Sequence, residues 1–265
     1  MFLPAGDGAT TPGAARLLRL RTLLVSDLHY DLPKLDWVLD QAADVDLLVL
    51  AGDLLNIASS VPLDAQITVV LEYLGRMAAE TTTVACSGNH DLDHREASGE
   101  KATSWLAAAR DRGALVDGES MTVGNWLVTA CAWWEGPETL ERLETGLAEA
   151  GESRTGPWLW VYHGPPEGRL SWTGSKHYGD PELPRLLEVH QPDVVLCGHI
   201  HQAPFVADGG WYEERGATWL FNSGHQLGPE PAHILLDLDR GTARWKSSAG
   251  AAEVVFGDPA LAVDQ

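Results

Sequence analysis

Residues 21–33 read RTLLVSDLHYDLP. The apolar run through Leu23, Leu24 and Val25 has the content of a strand buried on both faces. It then delivers an aspartate, Asp27, and a histidine, His29, two residues apart. Four more apolar runs end in the same way. LLVLAGDLLN (47–56) delivers Asp53, TVACSGNHD (83–91) delivers Asn89, His90 and Asp91, LWVYHGPP (159–166) delivers His163, and VVLCGHIH (194–201) delivers His199 and His201. Sheets with parallel strands bind ligands in the crevice beyond the carboxyl ends of those strands. Five such ends in one sheet would therefore bring these groups together. Singly, each fragment has a structural explanation: Gly-Asp is a common turn, and a lone histidine is more often a hydrogen-bonded core residue. Their recurrence at five strand ends is what points to chemistry.

Helical patterns lie between the early runs. In LDAQITVVLEYLGRMAAE (63–80), Ile67, Val70, Leu71, Leu74, Met77 and Ala78 share one face at helical spacing. Segments 32–43, 101–113, 137–150 and 180–189 read as helices too, with Gly113 stopping the second of these four. Strands alternating with helices predict an α/β fold with parallel strands. The last stretch differs: APFVA (203–207), TWLFNSG (218–224), AHILLDLD (232–239) and TARWKSS (242–248) leave no room for helices and predict hairpins forming a second sheet. Residues 1–17, rich in Gly, Ala, Thr and Pro, read as a loose lead-in, 18–250 as one compact domain and 251–265 as a tail.

The 265 residues include 38 acidic and 18 basic side chains, a formal net charge of −20. That charge disfavours loose binding to nucleic acid or to anionic membranes. An anionic substrate stays possible, because bound cations dominate a local field; a solvated acidic surface is the plain alternative. Cys86, Cys131 and Cys197 are widely spaced in apolar runs and read as small buried hydrophobes, not as a disulfide framework. No secretory leader is visible, and no stretch approaches the roughly 18 apolar residues of a membrane span. These features predict a cytoplasmic setting.

Clustered imidazoles and carboxylates are costly to bury without counter-charge, and divalent cations supply it. The strand-end groups Asp27, His29, Asp53, Asn89, His90, Asp91, His163, His199 and His201 are all nitrogen and oxygen donors, a set that suits manganese, iron, zinc or nickel. It exceeds what one tetrahedral ion uses, so two ions are expected. Asp53, with two carboxylate oxygens, is a natural bridge.

The order SDLH, AGD, SGNHD, YHG, CGHIH, spanning residues 27–201, resembles the signature of the calcineurin-like metallophosphoesterase superfamily. The resemblance implies a two-sheet αββα sandwich over about residues 20–245, with the metals at one edge. It implies that Asp27, His29 and His201 hold one ion, that Asn89, His163 and His199 hold the other, and that Asp53 bridges them. It further implies hydrolysis of a phosphoester by a metal-bridging hydroxide, with His90 as the general acid on the leaving oxygen. In the phosphoprotein-phosphatase branch an Asp three residues after the bridging Asp orients that histidine. Here the position is Asn56, which is either an orienting amide or a turn residue. GNHD in place of GNHE also departs from that branch. YHGPPEG is similar to a small phosphodiesterase-like branch; the complete ligand set, the missing phosphatase-branch features and a small domain without an extra cap favour a phosphodiester over a phosphomonoester as the small-molecule substrate.

Loop 167–183 carries Arg169, Lys176 and His177 as candidate substrate contacts and Trp172 as a candidate stacking surface; an ordinary surface loop is the alternative. His94, Arg95 and His225 are further candidates, and Trp126, Trp133 and Trp134 read as core or rim packing. Two other functions stay open: a non-catalytic metal-binding interaction module on the same scaffold, and a nuclease.

Overall fold

The structure, a computed structural model, describes residues 19–257. The expected lead-in and the last part of the expected tail lie outside them. In chain order the strands are β1 (Arg21–Val25), β2 (Leu47–Ala51), β3 (Thr82–Cys86), the short pair β4 (His94–Arg95) and β5 (Lys101–Ala102), β6 (Ser120–Val123), β7 (Trp126–Ala130), β8 (Trp158–Val161), β9 (Val194–Cys197), β10 (Tyr212–Arg215), β11 (Thr218–Asn222), β12 (His233–Asp237), β13 (Thr242–Ser247) and β14 (Gly250–Val255). The helices are α1 (Leu32–Ala42), α2 (Leu63–Glu80), α3 (Ala107–Arg110), α4 (Pro137–Glu152) and α5 (Leu183–His190).

Two six-stranded sheets face each other, in the orders β14-β13-β12-β1-β2-β3 and β10-β11-β9-β8-β7-β6. Leu24, Val49, Val84, Val128, Val161, Leu196, Phe221 and Ile234 fill the space between them. Removing such a side chain from water contributes about 1.5–3 kcal/mol. The other face of the first sheet is buried under α1 and α2, where Leu35, Val38, Val70, Leu74 and Met77 recur at intervals of three or four residues. The other face of the second sheet is buried under α4 and α5 through Leu143, Leu147, Leu183 and Leu186. The layers are thus αββα, as the resemblance implies. Within the first sheet β1, β2 and β3 are parallel, and within the second β7, β8, β9 and β11 are parallel. The ligand-bearing ends therefore come from two facing sheets and meet at one edge of the sandwich, not from a single sheet.

Several expectations need correction. The late strands do not form a sheet of their own: β10 and β11 complete the second sheet, while β12–β14 extend the first by pairing β12 antiparallel to β1. Without β12, β1 would be an edge with unpaired backbone groups. Residues 251–255, expected in the tail, form β14. APFVA is not a strand but a single 3-10 turn over Ala203–Phe205, because Pro204 has no N–H for a ladder. Segment 101–113 is helical only over Ala107–Arg110. Ala102 pairs in β5, and the indole of Trp105 donates to the Asp91 carbonyl at 2.8 Å, so tertiary bonds override local helix preference there.

Candidate metal centre

The loops leaving the strands carry the expected ligands in tight turns. Asp27, His29, Asp53 and His199 all have positive φ, between 46° and 68°. This left-handed region costs a residue with a side chain about 1–3 kcal/mol and persists only where the surroundings enforce it. Here they do: Asp27 N–H donates to Gly52 O at 3.0 Å, and His29 N–H donates to Asp53 O at 2.9 Å. Gly198 N–H donates to His163 O at 2.9 Å. Two glycines are required by close approach. A Cβ on Gly88 would overlap Asp53 Oδ1, and one on Gly198 would lie 2.5 Å from the Ser26 side chain.

Three groups of ligand atoms converge. Asp27, His29 and His201 form one, Asp53, His163 and His199 another, and His29, Asp53 and His90 the third, each within 4.8 Å. His29 Nε2 and His201 Nε2 are 3.0 Å apart. Asp27 Oδ1 is 3.2 Å from His201 Nε2, and its two oxygens accept the His199 main-chain N–H at 3.1 Å. Asp53 lies between the groups: Oδ2 is 3.4 Å from His163 Nε2 and 3.9 Å from His29 Nε2. Its Oδ1 accepts the His90 main-chain N–H at 2.8 Å.

The donor chemistry fits metal. His163 Nδ1 donates to Ala51 O at 2.7 Å, which leaves the Nε2 lone pair aimed at the centre. That Nε2 and Asn89 Oδ1 are buried without a hydrogen-bond partner, as is His90 Nδ1. Buried polar atoms are seldom left so, and a cation would give the first two a partner. Burial and neighbouring positive imidazoles lower His29 and His199 to about 4, so both are neutral at ordinary pH with lone pairs free to ligate. Burial raises the Asp27 carboxyl, but the His201 bond and the His163 charge outweigh it and hold the group well below the usual range. Burial opposes a charge on His163, yet the Asp53 carboxylate beside it prevails and raises it to about 9.

Six of the seven expected ligands thus come together, and His90 joins them, its ring 4.6 Å from that of His29; for the seventh, Asn89, the structure shows a buried Oδ1 without a hydrogen-bond partner. The expected orienting bond from Asn56 is absent among the described residues. Asn56 Oδ1 accepts the Ala58 N–H at 2.9 Å in an Asx turn, and its main chain is held by Gln66. Arg169 is not at the centre either: its guanidinium donates to Gly209 O at 3.0 Å. His177 is tied to Ser171 Oγ at 3.2 Å and stacks against Trp172. Lys176 does reach the site mouth. It lines a cavity of about 370 Å³ with Thr173, Tyr178, Gln202, His199 and His201, and its ammonium lies 4.4 Å from the Tyr178 ring centre. Trp133 is more than rim packing, since its ring covers His163 and His199. His94 and Arg95 sit exposed in β4.

One residue with a large structural role had no expected function. Asp91 is buried and accepts the main-chain N–H groups of Asp53, Leu54, Leu55 and Gly88 at 2.8–3.0 Å. It ties the second and third ligand loops together. Burial and the Asp53 charge push it up to about 7. Its place in GNHD was visible, but four converging N–H groups were not.

The calcineurin-like phosphoesterase family matches residues 20–203. The chain belongs to this family. Its members are generally hydrolases. Among solved structures, TT1561 of Thermus thermophilus is similar at 17% identity and a TM-score of 0.58, covering 90% of this chain and 99% of that one. The purple acid phosphatase PPD1 from yellow lupin is similar at 14% identity and a TM-score of 0.54, covering 95% of this chain and 56% of that one. At these identities the likeness concerns the fold. No curated protein matches the chain.

Proposed function

We propose that this protein is a dinuclear metal-dependent phosphoesterase acting on a small phosphodiester. The observation that carries the reading is the convergence of three His/Asp groups that share Asp53 and His29. Asp27, His29 and His201 would hold one ion, Asn89, His163 and His199 the other, and Asp53 both. When bound, two such ions supply positive charge to the phosphoryl oxygens and acidify a water for attack on phosphorus. Manganese, iron and zinc all suit this donor set.

The chain's own residues do the rest. His90 hangs over the centre because its main-chain N–H is fixed to Asp53 Oδ1. It donates a proton to the leaving oxygen, a contribution of about 10²–10⁴-fold for a positioned acid. Trp133 shields one side from water. Lys176 and Tyr178 line the cavity beside His199 and His201, which gives the second ester arm a place and favours a diester. The buried free cysteines support a reducing, cytoplasmic location; among the described residues no helix is long and apolar enough to cross a membrane.

The test is hydrolysis of bis-p-nitrophenyl phosphate against p-nitrophenyl phosphate, after chelation and resupply of manganese. We expect diester turnover that needs the metal and is lost in Asp53→Asn. His90→Ala should lower turnover of diesters with poor leaving groups about 10²–10⁴-fold with metal retained. Turnover of the monoester alone would overturn the diester assignment. No turnover of either, with two ions bound, would overturn the enzymatic reading.

A further inference from the structure

Lys34 is 1% exposed, on the inner face of α1. An ammonium is seldom buried to that degree unless paired. Its Nζ is 3.7 Å from Asp31 Oδ2, and 3.3 and 3.4 Å from the two ring nitrogens of His225. His225 Nδ1 donates in turn to the main-chain carbonyl of Asp27 at 2.8 Å. The His225 ring stacks on that of His201, centroids 4.7 Å apart and planes inclined by 27°. Its main-chain N–H donates to His201 O at 3.1 Å.

The loop that carries His225 leaves β11, a sixth strand end at the same edge. It is clamped on both sides. The amide of Asn222, fully buried, donates to Leu170 O and Ile200 O, and Ser223 Oγ meets Ser26 Oγ at 2.8 Å. The loop is therefore fixed to both segments that hold Asp27 and His201. The other half of the centre is held by different groups: Asp91 accepts the Asp53 and Gly88 main-chain N–H groups, and His163 leans on Ala51 O and Trp133.

We propose that Lys34 and His225 form a brace that positions the Asp27–His29–His201 half of the metal centre. The inference rests on the two-ion reading above. Lys34 acts through His225, and His225 acts on the Asp27 carbonyl and the His201 ring, so both are positioning residues. The carbonyl they hold belongs to a residue at φ 54°, a conformation that relaxes without its partners. Partners that orient metal ligands typically contribute about 10–100-fold in metal affinity. The brace predicts that such a loss falls on one ion only.

The experiment is calorimetric titration of the chelated full chain with manganese, without substrate, alongside thermal unfolding of the metal-free forms. Lys34→Met keeps the length and removes the ammonium. His225→Phe keeps the stack and removes both nitrogens. His225→Asn restores a donor for Asp27 O and an acceptor for Lys34. We expect Lys34→Met and His225→Phe to weaken one ion about 10–100-fold and leave the other within about twofold, with His225→Asn recovering most of the loss. Unchanged affinity for both ions in Lys34→Met and His225→Phe would overturn the brace. Equal weakening of both ions, tracking a lower metal-free melting temperature, would also overturn it in favour of a general packing role. Wild-type protein holding a single ion would instead defeat the two-ion reading; the brace would then stand only if His225→Phe weakened that ion.

Discussion

His163 is the candidate ligand whose environment makes the sharpest demand. Burial disfavours its charge, but the Asp53 carboxylate 3.4 Å away raises it to about 9. Its folded value lies above the ordinary 6.5, so in the metal-free protein this group stabilises the fold fully below about pH 6.5 and loses that contribution as pH rises through about 9. A metal ion needs the same nitrogen deprotonated. Manganese binding at about pH 7.5 should therefore release about one proton from His163, and the apparent affinity should climb with pH until about 9. Titrations in buffers of different ionisation enthalpy measure that release; no proton released would show that His163 is not a ligand. The candidate ligands were legible in the sequence because each is a polar side chain ending an apolar run. Lys34 was not. It stands beside the core position Leu35 in an ordinary helix pattern, and only the fold shows that its ammonium meets His225 from a loop 191 residues away. His225 was a candidate by its loop, without any sign that it holds Asp27.

At the scale of elements, the strands supply direction and the loops supply geometry, and Asp91 joins the two. Its carboxylate serves four main-chain N–H groups from the loops after β2 and β3. Asp91→Ala leaves those donors unpaired in the interior, at about 1–3 kcal/mol each before relaxation. We expect a fall in melting temperature of at least about 6 °C, from roughly 2–4 °C per kcal/mol in a chain of this size. Metal should be lost with it. Asp91→Asn keeps one acceptor oxygen and should recover part of both; an Asp91→Ala protein with unchanged melting and metal content would refute the hub. The early elements were legible because each parallel strand is buried on both faces and each helix shows one apolar stripe. Of the late strands, β11, β12 and β13 were legible as strands but not in their partners, and β10 and β14 were not read as strands. Nothing local tells β12 that it will pair with β1 across most of the chain, whereas β11 pairs with β9 and carries β10 on its outer side. Segment 101–113 failed for a related reason: its helix preference was outweighed by the Trp105–Asp91 bond.

For the whole molecule, the candidate metal edge is where polar groups gather at the rim of an apolar sheet interface. The interior between the sheets is apolar, but at this edge carboxylates and imidazoles from the ends of β1, β2, β3, β8 and β9 are drawn into contact within a chain of net charge −20. Ions that bind the folded form alone stabilise it by mass action, about 2.7 kcal/mol for each site when the free ion is at about 100 times its dissociation constant. Two such sites give roughly 5 kcal/mol, or about 10–20 °C in melting temperature. Chelation should therefore lower the unfolding transition by that order, and manganese should restore it. Asp53→Asn supplies the control, since its side chain is the one shared between both halves: its melting temperature should respond to manganese by less than half as much. Two full, independent stabilisation steps in Asp53→Asn would mean that the halves do not share a bridge and that the two sheets each carry a separate site. A single coupled loss would mean that metal joins the sheets at the edge that their apolar interface leaves open.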